Sequence, residues 1–387
     1  MNFKKFRIPD GTDLAANGFK VFYENQLDSG AGSLVPFTFD SAHGDQAYVS
    51  EADAGGDLTG YRSVVQFGAS ANGVSFGRYV TSVGADFVAM NRHTFGVSNP
   101  SSVTQFRTGD GAANAYPMVG PIVFSEIMYH PVSGTGTNIS EPAEEEFIEL
   151  QNISTNGVAL YDPAYPTNTW KLEGGIGFVF PSGTLLSTGK VMLVVGFDPV
   201  TNAPAMTALR NKYGIPAGVS ILGPFEGRLD NHADQVALLR PDAPQQPPHT
   251  DAGFVPYILV EQVSYEDTAP WPSSADGGGD SLQRKNPAEY GNDPVNWTAE
   301  APTAGRPNTV TTPLIQVEVG SVTDTSVTLS WNTVAGRTYR VQYKSDLSEP
   351  SWTDLSGDIA SDATTATKVD GSSNGVRQRY YRIMIVE

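Results

Sequence analysis

Phe178-Val179-Phe180-Pro181-Ser182-Gly183-Thr184-Leu185-Leu186 decides how this chain is read, because the chain carries an earlier version of it. Phe6-x-Ile8-Pro9-x-Gly11-Thr12-x-Leu14 repeats its order of apolar residues, Pro, Gly, Thr and Leu. Asp45-Gln46-Ala47-x-Val49 then answers to Asp234-Gln235-Val236-x-Leu238, and Gly73-x-Ser75-Phe76-x-Arg78 to Gly279-x-Ser281-Leu282-x-Arg284. The matches keep their order while the separation grows from 172 to 206 residues, so the chain holds an internal duplication with longer loops in the second copy. Pro-x-Gly-Thr is a turn between strands: Pro presets φ and Gly tolerates positive φ. Val191-Met192-Leu193-Val194-Val195 has the length and continuity of a strand covered on both faces.

Working outward, the second copy has a lead-in from Ile122 to about Gly177, including the strand-like runs Ile122–Tyr129 and Glu146–Asn152. The first copy has only Met1–Lys5 before its first match, so residues 1–99 are expected to form a sandwich lacking its opening strands. Residues 100–120 read as a linker and residues 121–308 as a complete sandwich. Within the latter, Ala203-Pro204 opens a short helix, Met206, Leu209 and Tyr213 share one face, and Gly214 with Pro216 closes it. Pro302–Pro313 is rich in Pro, Thr and Gly, as linkers are. Residues 309–387 then alternate apolar and polar at Ile315/Val317/Val319, Val327/Leu329/Trp331, Tyr339/Val341/Tyr343 and Tyr381/Ile383/Ile385, giving about six short strands.

The composition fits an all-β chain: 387 residues with 40 Gly, 27 Pro and 10% aromatics. The absence of Cys excludes disulfides, thiolate–metal sites and thiol nucleophiles. A net charge of −18 argues against a nucleic-acid partner, which needs clustered Lys and Arg. No apolar run has the length of a spanning helix. Met1–Arg7 is basic without an apolar run behind it, unlike an export signal. With the truncated repeat, this suggests a segment of a larger protein.

Phe124-Ser125-Glu126-Ile127-Met128-Tyr129-His130-Pro131, Glu146-Phe147-Ile148-Glu149-Leu150, Phe180-Pro181-Ser182-Gly183-Thr184, Gly227-Arg228-Leu229-Asp230-Asn231 and Asp276-Gly277-Gly278-Gly279-Asp280-Ser281-Leu282-Gln283-Arg284 together resemble a bacterial lamin-tail domain. Residues 1–99 resemble the later two-thirds of a second one. Pro313–Glu387, through Trp331 and Arg379-Tyr380-Tyr381-Arg382-Ile383, is similar to a fibronectin-type-III-like module whose last strand is missing. The resemblance implies tandem immunoglobulin-like β-sandwiches followed by a small fibronectin-III-like sandwich. It also implies a large exported or surface protein, and no shared catalytic residues.

Chemistry-bearing clusters are few. No Lys or Arg falls between Arg107 and Lys171, a span that holds eight carboxylates. Such groups repel one another unless screened, and Ca²⁺ favours hard oxygen ligands, which makes Glu141, Glu144, Glu145 and Glu146 candidate metal ligands. The competing reading is a solvated acidic loop. Asp53–Asp57 and Asp276–Asp280 have turn composition without EF-hand spacing. Thr188-Gly189-Lys190 lacks P-loop spacing, and Ser187-x-x-Lys190 lacks the partner motifs of a penicillin-binding enzyme. His43, His93, His130, His232 and His249 are scattered, with His43 and His232 in equivalent turns. Tyr265, Trp271 and Trp297 fall in loop-rich parts and are candidate sugar-stacking rings.

These readings lead us to expect a non-catalytic structural or adhesive segment of a secreted or cell-surface bacterial protein. It would contact other protein modules or surface polymers, with strand pairing through the incomplete first module. The alternatives are a carbohydrate-binding module and an accessory region of an enzyme whose catalytic domain lies elsewhere.

Overall fold

The computed structural model describes residues 2–30, 32–132, 143–308, 317–323, 325–333, 337–361, 365–373, 376 and 378–386. The chain divides into two compact units, Met1–Val310 and Thr311–Glu387. It is mostly β, with 38% strand and 8% helix in several antiparallel sheets. Among the described residues no helix is long and apolar enough to cross a membrane.

In chain order, the first part of unit 1 has strands β1 (Asp45–Ala52), β2 (Leu58–Phe67), β3 (Phe76–Thr81) and β4 (Gly84–Ala89). The second part has β5 (Ile122–Met128), β6 (Phe147–Asn152), β7 (Val158–Ala159), β8 (Lys171–Gly174), β9 (Ile176–Val179), β10 (Leu185–Leu186) and β11 (Val191–Val195). It continues with β12 (Ser220–Leu222), β13 (Glu226–Gly227), β14 (Ala233–Pro241), β15 (Tyr257–Glu266), β16 (Ser281–Arg284) and β17 (Trp297–Glu300).

The second part is a complete sandwich. A six-stranded sheet in the order β12-β11-β6-β5-β16-β17 faces a five-stranded sheet, β13-β9-β8-β14-β15. Its core joins Ile122, Phe124, Ile148, Leu150, Met192 and Val194 to Leu172, Val236, Leu238 and Val263. Strand β5 is buried at every position. A bulge between Phe124 and Glu126 shifts its register. Phe124 and Ile127 therefore both belong to the inner core despite their odd spacing. The outer face of the larger sheet is covered by the helix Ala203–Tyr213, whose Ala205, Leu209 and Tyr213 pack on Met128, Phe147, Leu193 and Val195. Asn202 caps this helix through Ala205 N–H, and Gly214 ends it in the left-handed conformation, at the position where the sequence places its end. The helix is also the crossover that allows β11 and β12 to pair in parallel.

The first part forms two separate hairpins, β1–β2 and β3–β4. Its only buried apolar residues among those described before residue 100 are Ala42, Ala69 and Met90. The duplication nevertheless holds at the level of single hydrogen bonds. Thr12 and Thr184 each donate both N–H and Oγ1–H to the carbonyl three residues back, Pro9 and Pro181, with Gly11 and Gly183 at φ 76° and 82°. Asp40 accepts the N–H of Ala42 and His43, as Asp230 accepts that of His232 and Ala233. These backbone donors hold the Asp40 and Asp230 carboxyls below the usual range.

Residues 100–120 are not a free linker. Met90 bridges Pro117, Met118 N–H bonds Ala89 C=O, and Tyr116 donates to Glu289 Oε2 at 2.7 Å. Asp86 accepts from Tyr290 Oη (2.8 Å) and Asn292 Nδ2 (2.9 Å), which pins β4 to the second module. Residues 302–308, expected as linker, are likewise docked on the larger sheet; residues 309–316 lie outside the described residues.

Unit 2 is the expected small sandwich. Strands Val317–Val322, Val327–Asn332 and Thr365–Asp370 form one sheet; Arg337–Lys344, Thr353–Asp354, Ile359–Ser361 and Tyr380–Val386 form the other. Leu329, Trp331, Tyr339 and Val341 make its core. Two of its strands are too short to show an alternating pattern, which is why the sequence suggested fewer.

Candidate interaction surface

Several of the expected site residues hold the fold together. Of the acidic candidates, Glu141 lies outside the described residues. Glu144 is exposed, Glu145 pairs with Lys212, and buried Glu146 accepts from Arg228 Nε (3.1 Å) and Leu229 N–H (3.1 Å). The premise that these carboxylates lack cations is therefore corrected: the cations come from the helix and from the turn before β14, distant in sequence. Among the described residues no group of three or more potential ligands gathers around one point.

The proposed sugar platform is also corrected. Tyr265, Trp271 and Trp297 are 1%, 5% and 1% exposed. Tyr265 stacks on Tyr129 and donates to Asp230 C=O, while Trp297 Nε1–H donates to Gly291 C=O at 2.7 Å. Their flanking Gly and Pro residues suggested open loops, yet the loops fold back and close the ends of the core. His43 faces Asp40 Oδ2 at 3.0 Å and stacks on Phe254; His130 faces Asp276 Oδ1 at 2.6 Å.

Two buried ionic arrangements escaped the sequence. Glu126 and Glu149 stand opposite each other on β5 and β6 and are fully buried. Glu126 accepts from Thr303 N–H (2.9 Å) and Thr303 Oγ1 (3.1 Å); Glu149 accepts from Ser125 Oγ (2.6 Å) and Gly305 N–H (2.6 Å). Burial raises both carboxyls, and the neighbouring Glu126 helps push Glu149 up to about 8. The pair therefore clamps the strap 303–308 onto the sheet. Elsewhere Arg284 pairs with Glu261 at 2.8 Å inside the core, over the Trp297 ring. Gly291 passes so close that a Cβ there would meet Glu261 Oε1 at 2.1 Å.

The first part of unit 1 leaves apolar side chains exposed. On the inner face of β1–β2, Phe67 meets Phe76 and closes one end of a thin layer against β3–β4. The other end is open: Val49 is 65% and Tyr61 77% exposed. Equivalent positions in the second copy are sealed. Ile8, Leu14 and Val49, all exposed, correspond to Phe180, Leu186 and Leu238, all buried. Exposed Arg78 corresponds to buried Arg284.

No family model and no curated protein matches the chain. Among solved structures, it is similar to the crystal structure of a DUF4876 family protein from Bacteroides thetaiotaomicron, at 10% identity over 69% of this chain and 90% of that one, with a TM-score of 0.29.

Proposed function

We propose that this chain is a non-catalytic structural or adhesive segment of an exported bacterial protein, built to make protein contacts at the cell surface. One observation carries this reading most: apolar positions sealed in one copy of the repeat stand open in the other, and large exposed apolar surfaces mark contact sites. The buried ionisable groups support it, since each is spent on holding a strand, turn or strap. The motifs that resemble a bacterial lamin-tail domain supply the exported setting. Antibodies against the chain test the reading. They should label intact cells of the bacterium that makes it; labelling only after lysis contradicts surface display. Turnover of a polysaccharide, phosphoester or peptide substrate by the purified chain contradicts the non-catalytic assignment.

A further inference from the structure

The outer face of the larger sheet carries a buried row. Leu193, Glu149, Glu126 and Gln283 stand across from one another on β11, β6, β5 and β16, and each is 0% exposed. Leu193 and Gln283 flank the two carboxylates without offering either a charge. Ser125 and Ser281 donate their hydroxyls, and the strap adds Thr303 and Gly305. The helix Ala203–Tyr213 brings Tyr213, whose hydroxyl donates to Glu145 C=O and which burial keeps neutral. Among the described residues no Lys or Arg pairs with either carboxylate: Lys212 takes Glu145, and Arg306 donates to Gly214 C=O.

The strap 303–308 lies over this row and is lightly held. It contains no strand or helix, and Arg306 and Pro307 are exposed. Besides its bonds to the carboxylates it rests on Ala304, which joins the cluster of Leu193, Leu209 and Tyr213, and on Asn308. Asn308 Nδ2 bridges Ser125 C=O (2.8 Å) and Arg284 C=O (3.0 Å), as Asn114 Nδ2 holds Arg78 C=O in the first copy (3.0 Å). The sheet beneath is continuous, with β6 paired on both sides by β5 and β11. Local opening therefore starts at the strap, where the fewest contacts break.

We propose that the strap is a proton-controlled latch, seated on the sheet while the Glu126–Glu149 pair retains a proton and released from an intact sheet once both carboxylates are ionised. Two neighbouring buried charges repel each other and lack the hydration they would have in water. Lifting the strap admits water to both, whereas any other route to solvation breaks the β5–β6 ladder. Release accompanies rising pH and is centred where Glu149 gives up its proton, about 8. It frees the six residues 303–308, about 20 Å of extended chain. Alkali thus lengthens the covalent connection to unit 2 without unfolding the sandwich. This goes beyond the contact-making function above and does not rest on it.

The test is hydrogen–deuterium exchange of the full chain at pH 6 and pH 9.5, with each rate corrected for the intrinsic pH dependence of amide exchange. Thr303 and Gly305 N–H donate to the two carboxylates, so their protection reports the latch directly. It should fall by about tenfold or more between the two pH values, because each unit above the point of ionisation adds up to tenfold. Amides of β6 and β11 should keep their protection. Glu149→Gln has no proton to lose and should hold the strap within about twofold over the same range, while Glu144→Gln, at an exposed position, should behave as the wild type. Unchanged strap protection in the wild-type chain overturns the inference. So does its loss in step with β6 and β11, which is unfolding of the module, or an equal loss in Glu149→Gln. The wild-type series alone decides the first two outcomes, whether or not the variant folds.

Discussion

Glu126 stands directly across the β5–β6 ladder from Glu149, and neither carboxylate reaches water. Like charges opposite each other in a sheet are destabilising, and burial magnifies the cost. The hydroxyl and amide donors from Ser125, Ser281, Thr303 and Gly305 offset part of it. A retained proton offsets more.

That proton makes the second module sensitive to alkali. Unfolded, a glutamate ionises near 4.5; folded, Glu149 keeps its proton up to about 8. Between these values the folded state binds more protons, so this stabilisation is complete below 4.5 and is lost as pH rises through about 8. Urea unfolding at pH 5 and pH 9 should differ by about 2–4 kcal/mol in favour of pH 5. Glu149→Gln carries no charge and keeps an acceptor for Gly305 N–H; it should flatten that dependence.

The Arg284–Glu261 pair should behave as a unit. Removing one partner, by Glu261→Gln or Arg284→Met, leaves the other unmatched in the core and should cost about 3–5 kcal/mol. The double variant should cost less than the sum of the singles, which a double-mutant cycle on unfolding free energies measures.

The helix that roofs the larger sheet contributes through its buried face. Leu209→Ala should destabilise by about 2–5 kcal/mol, because Leu209 is 2% exposed against Met128, Phe147 and Val195. Thr207→Ala, at an exposed position of the same helix, should change stability by less than about 0.5 kcal/mol. Equal effects in thermal melts would argue that the helix is not packed as described.

Asp86 ties the first part of unit 1 to the second module through Tyr290 and Asn292. Asp86→Ala removes both acceptors and should weaken the attachment by about 1–3 kcal/mol. Limited proteolysis should then cut faster around residues 91–113, while a core of residues 121–308 survives at the wild-type rate.

Much of this was legible in the residues. The helix carried its own stop signals in Gly214 and Pro216, and the repeat carried the turn chemistry of Pro9/Pro181 and the equivalent turns at His43/His232. The repeat also extends to a pair that its motifs missed, Asn114 and Asn308, because isolated Asn residues carry no pattern until their shared acceptors are seen. The carboxylate clamp was hidden for a related reason. Glu126 and Glu149 sit in apolar runs, a hint of burial, but which residues cover them depends on a strap more than 150 residues away. Trp271 and Trp297 were misread because Pro and Gly neighbours mark loops without saying whether a loop folds inward. In residues 1–99, read as a sandwich without its opening strands, β3 pairs with β4 alone among the described residues.

The contrast between a sealed and an open copy is measured most directly by hydrogen–deuterium exchange on the full chain. Amides of β5, β6, β11 and β14 should exchange only by global unfolding, while those of β1 and β2 near Val49 and Tyr61 should exchange much faster through local opening. Equal, deep protection of both copies would contradict the account.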